Sequence, residues 1–197
     1  MTDVQIRKRL LFGSLAVSAV VSVAVGFVLA ERDTGSSKGT VTNISDTRPA
    51  PDVGGIDTNE VVEGTKLPDV KVQNIDGDDV STSSLVGTPM VINVWGSTCI
   101  PCKEELPAFA KAYAKYGDTV QFVGLDFLGP STHEEDFARS RGIQYQLLYD
   151  GNGQFISEAG IAASPVTLFV NAQGIIVRQT GQLDEATLAK YIESDLS

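Results

Sequence analysis

The sequence predicts an α/β domain in which helices cover both faces of a mixed β-sheet. Short apolar runs with strand character alternate with segments of helical periodicity, which is typical of βαβ units. The last two predicted strands follow each other directly, which indicates an antiparallel return. A long uncharged segment near the N-terminus is a third feature, and it predicts a transmembrane anchor ahead of the domain.

A β-hairpin is predicted at the N-terminal end of this domain. Val70–Gln73 and Asp79–Thr82 have strand character, and the short segment between them contains Gly77, which favours a turn. Pro89–Trp95 follows after a polar loop. This segment is apolar at nearly every position, as expected of a central strand that is covered on both faces.

The rest of the domain alternates between helices and strands until the final pair of strands. The predicted helices are 101–116, 131–141, 155–159 and 184–196, and the predicted strands are 120–126, 145–149, 164–170 and 175–180. Pro107 is expected to kink the first of these helices. Pro165 lacks an N–H group, so it must lie at the start of its strand or at a sheet edge. Asp184 is the predicted N-cap of the last helix.

The N-terminal segment Leu10–Ala30 has no charged residue and is long enough to cross a bilayer. It is preceded by Arg7, Lys8 and Arg9, and this excess of positive charge predicts that the N-terminus stays inside. A cleaved signal peptide that ends at Ala30 is the alternative. Both interpretations export the rest of the chain, and the first predicts a single-pass protein of the cell membrane with its domain on the extracytoplasmic side.

Composition divides the chain into three parts. Residues 1–30 form the predicted anchor, residues 31–60 are rich in small and polar residues and read as a flexible linker, and residues 61–197 are long enough for one domain with its own core. The formal net charge is −10. An acidic exported domain does not favour nucleic acid, which we therefore exclude as a partner.

The only two cysteines, Cys99 and Cys102, lie at the start of the first predicted helix. The partial positive charge and free N–H groups of a helix N-terminus favour a thiolate over a thiol. This makes Cys99 the predicted nucleophile and Cys102 its resolving partner. An exported protein can retain the disulfide that the pair would form.

Three other interpretations of the cysteine pair are weaker. A zinc site needs four ligands, and the chain adds only His133, which we expect at the surface near a helix start. A purely structural disulfide would close a very short loop and contribute little stability. A peroxidatic cysteine lacks the spacing usual for that class. We therefore expect no metal and no cofactor beyond a redox-active disulfide.

Three further residues are informative through their place in the sequence relative to the cysteine pair. Trp95 precedes Cys99 by four residues, Pro107 follows Cys102 by five, and Pro165 opens a late strand. Together with the order of the elements, this combination resembles the thioredoxin superfamily. Within it, the chain looks like the membrane-anchored, exported TlpA/ResA/CcmG-like proteins, over residues 67–196.

The resemblance implies a role for each matched residue. Cys99 would be the exposed attacking thiolate and Cys102 the buried resolving thiol. Pro165, as a cis proline, would lie against the pair, and Ser164 would offer backbone groups to an extended substrate strand. Trp95 would shield the site. An ordinary strand-edge proline and a core tryptophan remain the alternatives for Pro165 and Trp95.

One position departs from the thioredoxin pattern. Cytoplasmic thioredoxins have a buried aspartate six residues before the first cysteine, where this chain has Asn93. Glu105 is the substitute that the ResA-like resemblance suggests, because it follows Cys102 by three residues and shares its helix face. A carboxyl group buried there would be pushed toward its neutral form and would exchange protons with Cys102. A solvated helix glutamate, like Glu104, is the alternative.

The resemblance implies an extracytoplasmic thiol–disulfide oxidoreductase that exchanges disulfides with protein substrates. For the ResA-like group this means a reductant in cytochrome c maturation, with apocytochrome c as substrate and a membrane thiol carrier as electron source. Three alternatives stay open at this point. The protein could oxidise folding proteins, act as a binding module without catalysis, or be a thiol peroxidase.

Overall fold

The computed structural model describes residues 59–196, which form one mixed sheet with helices on both faces. The strands are β1 (Lys71–Gln73), β2 (Asp79–Ser81), β3 (Met90–Trp95), β4 (Gln121–Asp126), β5 (Gln146–Tyr149), β6 (Val166–Val170) and β7 (Ile176–Thr180). The α-helices are α1 (Ile100–Tyr116), α2 (Thr132–Ser140), α3 (Gln154–Glu158) and α4 (Glu185–Asp195). The strand order across the sheet is β2-β1-β5-β4-β3-β6-β7.

Strand β3 lies inside the sheet between a parallel and an antiparallel neighbour. It pairs in parallel with β4 and in antiparallel with β6, and every one of its residues is buried. Its side chains alternate between the two faces of the sheet. Met90 and Ile92 pack in one hydrophobic cluster, whereas Val91 and Trp95 pack in the other, which also contains residues of α1 and α4.

Helix α1 starts directly after Cys99, which is its N-cap residue. Pro101 stands in the first turn, where its missing N–H group costs no hydrogen bond. One face of the helix packs on the sheet through Cys102, Glu105, Leu106, Phe109 and Ala112. The helix continues through Pro107 and ends at Tyr116, with Lys115 in the last turn favourable for the helix dipole.

The predicted elements from β3 to α4 are confirmed, with bounds that differ by one or two residues. The sequence did not predict the 3-10 helix at Thr82–Leu85. Thr82 is buried there, and its hydroxyl accepts the Val70 N–H group at 2.9 Å and donates to the Pro68 carbonyl at 2.5 Å. These are contacts between segments twelve or more residues apart, which no local pattern reveals.

The predicted anchor and residues 31–58 of the predicted linker lie outside the described residues, whereas the last two predicted linker residues, Asn59 and Glu60, hydrogen-bond to the domain. Within residues 59–196, none of the helices combines the length and apolar character that crossing a membrane requires.

Candidate active site

Cys99 and Cys102 form a disulfide with a Cα–Cα distance of 5.3 Å. The two sulfur atoms have different surroundings. Cys99 is partly exposed, and its Sγ atom accepts the N–H group of Cys102 at 3.3 Å, whereas Cys102 is fully buried against the core. A substrate can therefore reach Cys99 and not Cys102. This asymmetry is what an attacking thiol and a resolving thiol require.

Glu105 is a buried carboxyl group on the helix face that carries Cys102, with 2% of its surface exposed. Its Oε1 atom accepts a hydrogen bond from Asn93 Nδ2 at 2.8 Å, and its Oε2 atom accepts the N–H group of Leu183 at 3.0 Å. Burial disfavours the charged form more strongly than these hydrogen bonds favour it. The pKa of Glu105 is therefore raised to about 7.

Asn93 faces α1 from the middle of β3 and is itself buried. Asn93, the residue at which the chain departs from the thioredoxin pattern, thus donates a side-chain hydrogen bond to Glu105. Asn93 Oδ1 and the hydroxyl of Thr167, which stands opposite on β6, have no hydrogen-bond partner among residues 59–196. This part of the core is therefore polar, and two of its polar atoms lack hydrogen bonds within the described part of the chain, which costs stability.

The peptide bond between Ser164 and Pro165 is cis. Ser164 lies on one wall of a groove of about 420 Å³, and Cys99 lies on another. Phe127, Ile156 and Ile161 supply much of the remaining lining, and none of the described residues that line the groove is charged. The groove therefore offers an uncharged, mostly apolar surface directly beside the exposed cysteine.

Asn59 fixes the chain segment that leads into the cis proline. Its Oδ1 atom accepts the N–H groups of Ala162 and Ala163, each at 2.8 Å, and its Nδ2 atom donates to the Ala163 carbonyl at 3.1 Å. Ala162 and Ala163 both line the groove. No local sequence pattern indicates this contact, because the two segments are more than a hundred residues apart.

Trp95 does not lie on the groove. Its side chain has no exposed surface, and its ring stacks on Phe137 with the ring centroids 6.1 Å apart. It belongs to the same buried cluster as Cys102. Trp95 thus lies in the core next to Cys102, and its expected role in shielding the site and in binding substrate stays a prediction.

Sequence reasoning missed a second buried acidic group near the cysteine loop. Glu134, in the first turn of α2, accepts two hydrogen bonds from Ser97, which precedes Cys99 by two residues. Asp126, the last residue of β4, is buried beside them. The available signal was that β3 and β4 are parallel neighbours, so that their carboxyl ends meet at one edge of the sheet. His133 next to Glu134 is exposed, as expected.

The sheet order, the cysteine pair at the start of α1 and the cis Ser164–Pro165 bond, whose Ser164 lines the same groove as Cys99, define a thioredoxin-like thiol–disulfide oxidoreductase. Residues 64–179 match the AhpC/TSA family, and the chain belongs to that family.

Named relatives agree with this class. The thiol–disulfide oxidoreductase ResA of Bacillus subtilis is 25% identical over 134 residues, which are 67% of this chain and 75% of that protein. Among solved structures, StoA from Bacillus subtilis has a TM-score of 0.54 at 25% identity and covers 64% of this chain and 96% of its own. A secreted Mycobacterium tuberculosis disulfide oxidoreductase, homologous to E. coli DsbE, has a TM-score of 0.56 at 20% identity and covers 64% and 96%.

Proposed function

We propose that this protein reduces disulfides of exported proteins on the extracytoplasmic side of the membrane, in cytochrome c maturation. The observation that carries the proposal is the partly exposed Cys99 beside a buried Cys102, with buried Glu105 one helical turn further along α1. The similarity to ResA supports thiol–disulfide exchange, and the resemblance of the chain to the ResA-like group implies the reducing direction. The predicted N-terminal anchor at residues 10–30 supports the location.

The reaction proceeds in two exchanges. The Cys99 thiolate attacks one sulfur of the substrate disulfide, a mixed disulfide forms, and the other substrate sulfur leaves as a thiolate. Cys102 then attacks the Cys99 sulfur, which forms the Cys99–Cys102 disulfide and releases the second substrate sulfur. The substrate gains two electrons and the cysteine pair loses two. A membrane thiol carrier returns the pair to the reduced state.

Glu105 serves the second exchange. Cys102 must lose its proton before it attacks, and a buried thiol has no solvent to receive it. The Glu105 carboxylate accepts this proton and later passes it to the departing substrate thiolate. A pKa of about 7 suits both steps, because general acid–base catalysis is most effective when the pKa lies near the working pH.

The groove beside Cys99 receives the substrate chain. The backbone of Ser164 pairs with an extended substrate segment, while apolar substrate side chains contact Phe127 and Ile161. Because none of the described residues that line this groove is charged, we expect it to select substrates by shape and apolar contact rather than by charge. A segment of apocytochrome c around a cysteine pair is the proposed physiological substrate.

Insulin reduction by the exported domain tests the proposal. Wild type and the Cys99→Ser and Cys102→Ser variants are compared with dithiothreitol as electron source. We expect efficient turnover in wild type alone. When dithiothreitol is removed after reduction, Cys102→Ser should accumulate a mixed disulfide with insulin, because the second exchange is blocked. Turnover without Cys99, or none in wild type, would contradict the proposal, and the second result would favour a binding module. Rapid consumption of hydrogen peroxide would favour a thiol peroxidase instead.

A further inference from the structure

The loop that carries Cys99 is hydrogen-bonded to Glu134 of α2 through Ser97. Glu134 Oε2 accepts the backbone N–H group of Ser97 at 2.9 Å, and Glu134 Oε1 accepts the Ser97 hydroxyl at 2.5 Å. The same loop is closed by the Cys99 N–H group, which donates to the Gly96 carbonyl at 3.0 Å. The Glu134 carboxyl group, which lies outside the helix of the cysteine pair, therefore helps to position the loop that carries Cys99.

Glu134 can remain ionised although it is buried, with only 4% of its surface exposed. Burial alone would raise its pKa, but the two hydrogen bonds from Ser97 and the start of α2 favour the charged form. The net result is a lowered pKa of Glu134. A buried ionised carboxylate of this kind binds its donors strongly, and a charge-assisted hydrogen bond is about twice as strong as a neutral one.

Asp126 lies against this carboxylate and has no exposed surface. Its Oδ1 atom accepts the N–H group of Leu128 at 2.7 Å. Among residues 59–196, no N–H or O–H group donates to its Oδ2 atom, and the group that its carboxyl meets is that of Glu134. Burial, and then the hydrogen bond and charge of Glu134, raise the pKa of Asp126 to about 8.

We propose that Asp126 and Glu134 share one proton and act together as a positioning site for Cys99. Asp126 donates the shared proton to Glu134, and Glu134 holds the loop through Ser97. Two ionised carboxylates that face each other in a buried site repel, so the arrangement is stable only while the proton is present. Loss of the proton adds a second buried negative charge near the Cys99 loop and disfavours the Cys99 thiolate.

Among the described residues, the other ionisable groups near Asp126 and Glu134 come from α2 and β5. His133 and Glu135 come from α2, where Glu135 forms an ion pair with Arg139 at 3.0 Å. From β5, Tyr149 faces Asp126, and burial raises the pKa of Tyr149 to about 12, so that it stays neutral over the relevant range. His133 Nε2 is 3.8 Å from Glu134 Oε1, and its side chain is 78% exposed. The variant His133→Asn is therefore the matched control.

The test is the rate at which iodoacetamide alkylates Cys99 in the reduced protein between pH 5 and 10. It rests on the proposed function only in treating Cys99 as the attacking thiol, and it needs no substrate. A failure to reduce insulin would therefore leave the result of this test unaffected.

All proteins in this test carry Glu105→Gln, because the Glu105 carboxyl group, with a pKa of about 7, would otherwise add an ionisation of its own. In this background, the parent protein and the His133→Asn control are expected to require two ionisations, that of Cys99 and a second one near pH 8. Asp126→Asn still donates a hydrogen bond to Glu134 but cannot titrate, so its profile should fit one ionisation. Glu134→Gln removes the charge that faces Asp126, so the second ionisation should move to lower pH. It also weakens the hold on the loop, and hydrogen exchange of the Ser97 amide should become about tenfold faster, equivalent to the loss of about one hydrogen bond.

In the Glu105→Gln background, a parent profile with a single ionisation would overturn the proposal, and so would two ionisations after Asp126→Asn is added. Carbon-13 detection of the Asp126 carboxyl group in the unmutated protein gives the answer independently of any variant. A carboxyl that ionises near pH 8 supports the shared proton, and one that ionises below pH 6 overturns it.

Discussion

Asn93 on the central strand donates a hydrogen bond of 2.8 Å to Glu105 on the helix that starts at the cysteine pair. The hydrogen bond joins the position where cytoplasmic thioredoxins have an acid to the position where this chain has one. It fixes the Glu105 carboxyl on the face of α1 that also carries Cys102. Compared with the thioredoxin pattern, the acidic group is on the helix instead of the strand, and the Asn93 side-chain amide on the strand orients it.

The raised pKa of Glu105 predicts a pH-dependent stability. Because the pKa rises from 4.5 in the unfolded chain to about 7 in the folded protein, the folded state binds more protons between these values. Its stabilising contribution is complete below pH 4.5 and is lost as the pH rises through 7. The shift corresponds to about 3 kcal/mol of unfolding free energy.

Urea unfolding of the oxidised protein at pH 4.5 and pH 7.5 measures this effect. Asp126 also has a raised pKa, so the prediction concerns the difference between wild type and Glu105→Gln. We expect wild type to lose about 3 kcal/mol more than the variant over this interval. Glu104→Gln, at the exposed neighbouring position, is the control and should behave like wild type. Equal losses in Glu105→Gln and wild type would show that Glu105 ionises normally.

Glu105→Gln should also change the pH dependence of catalysis. A glutamine cannot accept a proton from Cys102, so the resolving step should slow about 10²-fold at neutral pH, the lower end of what a general base contributes. Raising the pH should restore part of the rate, since Cys102 then ionises without assistance. Release of the substrate from a preformed mixed disulfide, followed between pH 6 and 9, measures the step. An unchanged profile would remove Glu105 from the mechanism.

Asn59 should affect substrate binding and leave the chemistry alone. Asn59→Ala removes three hydrogen bonds to the segment before Pro165, and a looser groove wall should raise KM several-fold. Asn59→Asp keeps an acceptor for both N–H groups, so its KM should lie between those of wild type and Asn59→Ala. Kinetics with a disulfide-containing peptide separate KM from kcat. A change confined to kcat would argue against a role in shaping the groove.

Gly96→Ala should disturb the other side of the groove. A Cβ atom at residue 96 would lie 2.5 Å from Cζ of the Phe127 ring, so the ring must move. Overpacking of this kind costs about 1–3 kcal/mol, which thermal or urea unfolding will detect. The double variant Gly96→Ala/Phe127→Leu should recover part of the loss, because leucine leaves room for the new methyl group. Additive losses in the double variant would contradict the contact.

The parts of this fold that could be predicted are those indicated by local sequence patterns, such as apolar runs and helical spacing. The apolar run 90–95 became the buried central strand, and the helical spacing after Cys102 placed Leu106 and Phe109 in the core. Cys99 stands at a helix N-terminus because Pro101 and the preceding strand define where that helix starts.

The parts that the sequence did not reveal depend on contacts between distant segments. Ser97 meets Glu134 across 37 residues, and Asn59 meets Ala163 across 104. Neither pair has a spacing or composition that marks it. Trp95 is a related case. Its distance from Cys99 can be read from the sequence, but its stacking on Phe137 in the core cannot.

The redox state of the cysteine pair in cells tests the central claim most directly. Cells that produce the full chain are quenched with acid, free thiols are alkylated with a mass-shifting maleimide, and the protein is detected by immunoblot, with Cys99→Ser as the marker for a single thiol. A reductant that receives electrons from a membrane carrier should have Cys99 and Cys102 mostly reduced at steady state. A pair that is mostly oxidised would contradict the proposed direction of electron flow and favour an oxidant of folding proteins.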